Sequence, residues 1–154
     1  MSDAPTNLQV LKRSRRALEP GDVFVAKPPD GIYLFGRVIR TDALGPMEAL
    51  LVYVYDVRSP IKEIPDQLSP DSLLFPPAFT NSLGWRHGRF ETIGNVPLGS
   101  GDVLKHHCFS AAGRFYDDDG RTLAGQSEPC GPGGVQSYRM LDDRISDALN
   151  IPRV

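Results

Sequence analysis

A mainly β fold is predicted, a twisted, partly barrel-like antiparallel sheet with a short C-terminal helix; an α+β arrangement is the neighbouring alternative. Three observations carry it. The stretch "GDVFVAKPPDGIYLFGRVI" (Gly21–Ile39) is two apolar runs around a turn, with both alternating faces of each run apolar. "ALLVYVYDV" (Ala49–Val57) is β-branched and aromatic throughout, the composition of a pleated, buried surface. Glycine and proline number 15 and 14 in 154 residues, an excess that indicates many turns.

The elements follow in order. Residues 1–20 are read as a basic, flexible tail: Lys12, Arg13, Arg15 and Arg16 outweigh Asp3 and Glu19, and Pro20 and Gly21 end any helix there. Residues 21–154 are read as one globular domain, a length that needs no metal or disulfide to hold a core. The first strand is Asp22–Lys27 and the second Ile32–Arg40, joined through "PPDG", where Pro29 presets φ and Gly31 supplies a left-handed position. A hairpin apolar on both sides belongs in a sheet covered twice or in a small coiled barrel. Gly36 within it marks a bulge or bend. After "TDALGPME" (Thr41–Glu48) comes the Ala49–Val57 strand. Shorter strands are expected in Leu73–Phe79, Gly88–Leu98, Leu104–Ser110, Arg114–Asp118 and Val135–Met140. In "LDDRISDALN", Leu141, Ile145, Ala148 and Leu149 share one helical face, with Asp142 and Asp143 placed in the first turn.

Catalytic vocabulary is sparse. "HHC" (His106–Cys108) puts His106 and Cys108 on one strand face and His107 on the other, which is not a metal site, and no CxxC or HxxxH spacing exists. No metal and no cofactor are expected. Cys108 with a neighbouring histidine is the nucleophile an enzyme would use, so a small Cys/His hydrolase is one alternative function. A nucleic-acid-binding β module using "KRSRR" (Lys12–Arg16) is another, disfavoured because no aromatic residue is interleaved to stack bases. Cys108 and Cys130 do not form a disulfide framework; the reading is two reduced thiols in a cytoplasmic protein, one disulfide being the alternative for an exported chain. The longest apolar run, Ala49–Tyr55, is far too short to span a membrane.

The segments "GDVFVAKPPDGIYLFGRVI", "LLVYVYDV" (Leu50–Val57), "LLFPPAF" (Leu73–Phe79) and "WRHGRFETIGNVPL" (Trp85–Leu98) resemble, in order and spacing, the bacterial immunity proteins known as immunity protein 26, found beside polymorphic toxins. The resemblance covers about Gly21–Leu123; the N-terminal segment and Cys130–Val154 match nothing in it. It implies a non-enzymatic protein that binds and neutralises a cognate toxin, and it carries no catalytic residue; neither nucleic acid nor membrane is expected as a partner. On that reading two loops are the candidate partner-binding sites. "YDDDG" supplies Tyr116, Asp117, Asp118 and Asp119 as an acidic steering turn with an aromatic anchor. Trp85 and Arg86, residue types that dominate interface hot spots, are the second, with a core-covering role as the alternative for Trp85.

Overall fold

A computed structural model describes residues 5–154, so residues 1–4 of the expected tail lie outside it. Among the described residues the chain forms nine strands and two helices: β1 Asp22–Ala26, β2 Tyr33–Ala43, β3 Ala49–Ser59, β4 Ala78–Thr80, α1 Leu83–Arg86, β5 Glu91–Asn95, β6 Cys108–Ala111, β7 Arg114–Tyr116, β8 Cys130–Pro132, β9 Val135–Gln136 and α2 Tyr138–Ala148. A single 3-10 turn, Gly45–Met47, joins β2 to β3. The strands make a six-stranded sheet in the order β5-β1-β2-β3-β4-β9 and a three-stranded sheet in the order β7-β6-β8. Both are twisted, neither closes into a barrel, and the fold is mainly β as predicted. The pairing is not wholly antiparallel: β4 runs parallel to β9, and β6 parallel to β8.

The β1–β2 hairpin is central, because β5 flanks β1 and β3 flanks β2. Its turn closes with Gly31 at φ +79° and a bond from Gly31 N–H to Pro28 O of 3.0 Å. The doubly apolar pattern is explained by cover on both faces. One face presents Phe24, Leu34, Val38, Leu50, Val52 and Val54 to Leu8, Trp85, Phe90 and the α2 residues Tyr138, Leu141 and Ile145. The other presents Ile39, Leu51, Tyr53, Tyr55 and Phe79 to Phe109 of the small sheet and to Leu98 and Leu104 of the preceding loop. Gly36 sits where the β2–β3 register shifts, as expected of a bulge, and a Cβ there would lie 2.3 Å from the ring of Phe24. The glycine makes room for an aromatic ring as well as for curvature.

Three expectations need correction. Residues 5–20 are not a loose tail in the structure. Leu8 is buried, and the backbone is tied down by Gln9 N–H to Lys27 O (2.9 Å), Leu11 N–H to Gly88 O (2.7 Å) and Ser14 N–H to Trp85 O (3.1 Å). Such bonds use no side chain and leave no periodic mark. The C-terminal helix begins at Tyr138, not at Leu141, because the Ser137 side chain caps it by accepting from Met140 N–H. Asp142 therefore lies past the first turn; its buried carboxylate accepts from Leu8 N–H at 2.8 Å and Asn7 N–H at 3.1 Å, locking the N-terminal segment to α2. Finally, the thiols are not free: Cys108 and Cys130 form a disulfide, Cα–Cα 4.5 Å, because the parallel β6–β8 register sets them opposite one another.

Candidate functional site

The acidic turn is built from β7 outward. Asp117 Oδ1 accepts from Asp119 N–H and Arg121 N–H, both at 2.9 Å, and Gly120 at φ +83° completes the reversal. Asp117 is thus half-buried and occupied by the turn itself, and Tyr116 is half-buried beside it. Asp118 and Asp119 converge on Arg40 of β2: Nη1 donates to Asp118 Oδ2 at 2.7 Å and to Asp119 Oδ1 at 2.9 Å, while Nε donates to Asp42 Oδ1 at 2.9 Å. Oxygens of Asp117, Asp118 and Asp119 lie within 4.8 Å of one another, but they are engaged with Arg40 and turn amides. The expected outward-facing acidic patch is in large part a fastening between the turn and the main sheet.

Behind it lies a polar chain the sequence did not disclose. Tyr53 Oη is 2.6 Å from His107 Nε2, and His107 Nδ1 is 3.5 Å from Asp118 Oδ1. Leu104 N–H also donates to Tyr53 Oη, at 3.1 Å. Burial pushes the Tyr53 phenol up to about 12. Proximity to His107, and then to Arg40, holds the Asp118 carboxyl well below the usual carboxylate range. Asp118 first, then Asp42 and Asp119, push the Arg40 guanidinium upward. The chain joins β3, the 104–107 loop, the turn and β2, which is a structural task.

A pH test follows. A carboxyl whose folded value is depressed contributes stability above its unfolded value, about 3.9, and that contribution fades as pH falls toward the folded value. Asp118→Asn is expected to cost about 1–3 kcal/mol at pH 7, with the difference from wild type shrinking as pH drops below 4. Urea titrations at a series of pH values check it. A pH-independent difference would separate the loss from ionisation of Asp118.

The second candidate loop divides. Trp85 on α1 is 2% exposed, its ring 5.0 Å from Phe24 and 5.1 Å from Phe90, so the core-covering reading is the one the structure displays. Gly84 permits this packing, since a Cβ there would lie 2.4 Å from the Phe90 ring. Arg86, one residue on, is exposed. The candidate pair therefore faces in two directions. Cys108, the only nucleophile named for a hydrolase, is bonded to Cys130 and is not a thiolate. No described helix is long and apolar enough to cross a membrane.

A model described as Immunity protein 26 matches residues 19–106, more than half of the chain. The chain belongs to the immunity protein 26 family. The match takes in the β1–β3 core and α1 and ends before the disulfide, the acidic turn and α2, short of the Leu123 limit expected from resemblance. No curated protein and no solved structure gives a significant match to the chain.

Sequence reasoning missed Arg40 and Tyr53, which the turn depends on, and Met47 on the 3-10 turn, 64% exposed; it named His107 only as a ligand or base, not as the link between Tyr53 and Asp118. Met47 had a signal: "LGPM" is a proline-led turn that leaves an apolar side chain little to pack on. The polar chain had none, since its bonded members are 11, 54 and 78 residues apart.

Proposed function

We propose that this protein is a non-catalytic immunity protein that binds a cognate toxin protein and blocks it. Membership of the immunity protein 26 family carries the reading. The fold supports it, because two covered sheet faces, a capped helix and a pinned N-terminal segment give a rigid scaffold on which loops hold fixed positions. Candidate contacts are Arg86 and the outward side of the turn, Tyr116, Asp117 and Asp119, with Asp118 holding the turn's shape and Trp85 supporting Arg86 from beneath. Neither nucleic acid nor membrane is part of the proposed interaction.

A cytoplasmic site of action belongs to this proposal, with one condition set by the fold. The expectation rested on reduced thiols, whereas Cys108 and Cys130 are placed to bond. In a reducing compartment the chain would carry them as a thiol pair and lose the disulfide's share of stability.

The test is co-expression with the cognate toxin domain. Bacterial growth is expected to recover, and the two chains are expected to co-purify with the toxin intact. Protection without a complex, or with chemical alteration of the toxin, would overturn the binding reading.

A further inference from the structure

A cleft of about 440 Å³ opens between the 14–18 segment, the Gly45–Met47 turn with the start of β3, and the β4–α1 connection. Its floor is mixed: Leu50 and Trp85 are buried and Leu18 partly so, beside the polar Thr80, Asn81 and Ser82. Its rim is cationic: Arg15, Arg16 and Arg86 line it and are exposed, against a single lining carboxylate, Glu48. These three arginines have no side-chain partner among the described residues, a state they share with the exposed Arg114, Arg121 and Arg139; what distinguishes them is that all three line one cleft.

The cleft is also pre-formed. The Ser14 N–H to Trp85 O bond fixes the backbone from which Arg15 and Arg16 project. On the opposite lip, Leu44 and Glu48 hold left-handed backbone at φ +58° and +46°, conformations costly for residues other than glycine. The turn they frame holds the exposed Met47 at the edge of the cleft. A partly apolar centre with a charged rim that carries arginine is the anatomy of a protein-recognition patch.

We infer that this cleft is the docking groove for an acidic segment of the toxin, one carrying aspartate or glutamate on either side of an apolar side chain. The inference rests on the toxin-binding reading above. Charge complementarity selects the acidic occupant: carboxylates would pair with Arg15, Arg16 and Arg86 while the apolar side chain lies against Leu18 and Met47. A nucleic acid fits less well, because the cleft's one aromatic residue, Trp85, is buried and cannot stack a base, and Glu48 would oppose a phosphate.

Trp85 is the sole tryptophan, so the full chain labelled with 5-fluorotryptophan reports the cleft floor through one fluorine resonance. The probe is an active-site-inactivated form of the same toxin domain used in the protection test. At saturation the resonance is expected to move, and the triple variant Arg15→Glu, Arg16→Glu, Arg86→Glu is expected to bind at least about tenfold more weakly, with a flattened salt dependence. All three positions are exposed, and circular dichroism checks that the variant folds. An unmoved resonance in the saturated complex, or wild-type affinity in the triple variant, overturns the inference while leaving toxin binding intact. A wild-type chain that forms no complex overturns both. A single-stranded RNA that moves the resonance and is released by the triple substitution, with toxin affinity unchanged, would reassign the cleft to phosphate.

Discussion

Replacing Trp85 with alanine is expected to lower the stability of this protein by about 3–5 kcal/mol, the range for truncating a fully buried large aromatic side chain. The indole is 2% exposed and wedged between Phe24 of β1 and Phe90 just before β5, with ring centroids 5.0 and 5.1 Å away. Phe24 and Phe90 also pack on each other at 5.2 Å, so the three rings form one cluster beneath the cleft. Collapse cannot fill the gap easily, since Gly84 has no side chain to contribute and Phe24 already occupies the space over Gly36. Denaturant unfolding followed by circular dichroism measures the loss. A change below about 1 kcal/mol would show that the indole is not packed as described. Faster toxin dissociation from an equally stable variant, the behaviour of an exposed anchor, is the opposite outcome.

Reducing the Cys108–Cys130 bond is expected to cost about 3 kcal/mol, the chain-entropy value for a loop of this length. The bond joins β6 to β8 and closes a loop of sequence separation 22 that contains β7 and the acidic turn. Breaking it frees that loop in the unfolded chain and leaves the three-stranded sheet dependent on its backbone bonds and on Phe109 against Phe79, centroids 4.0 Å apart. For a chain of this size the loss corresponds to a fall of about 6–12 °C in Tm. Thermal melts with and without dithiothreitol, repeated on the Cys108→Ser, Cys130→Ser double variant, test it. Thiol titration of the unfolded, unreduced protein should find no reactive thiol. Two reactive thiols in protein prepared under air, with melts indifferent to reductant, would return the chain to the reduced state expected from its sequence.

The candidate site was only partly legible in the sequence. "YDDDG" is a turn, as its aspartates and glycine require, but its charge is mostly taken up by Arg40, 78 and 79 residues away from its partners Asp118 and Asp119. Trp85 and Arg86 are adjacent in sequence and opposite in environment, one in the core and one at a cleft rim. Residue type speaks for what a side chain is able to do; its direction depends on the packing of α1 against Phe24 and Phe90. The basic run Lys12–Arg16 was visible as charge, but its place beside a partly apolar floor was not.

What the sequence by itself determined is the part governed by short-range alternation. Two apolar runs around "KPPDG" and a third at Ala49–Val57 can satisfy their side chains only as neighbouring strands covered on both faces, and β1, β2 and β3 are paired in that way. The tertiary structure alone decided what does the covering. Leu8 and α2 close one face, joined through the Asp142 carboxylate to two backbone amides more than 130 residues away, and the disulfide-linked small sheet closes the other. The reason is physical. Burial demand repeats every second residue along a strand and is written locally, whereas a carboxylate, a thiol or an amide accepts any partner of suitable chemistry, and only the folded chain selects which one arrives.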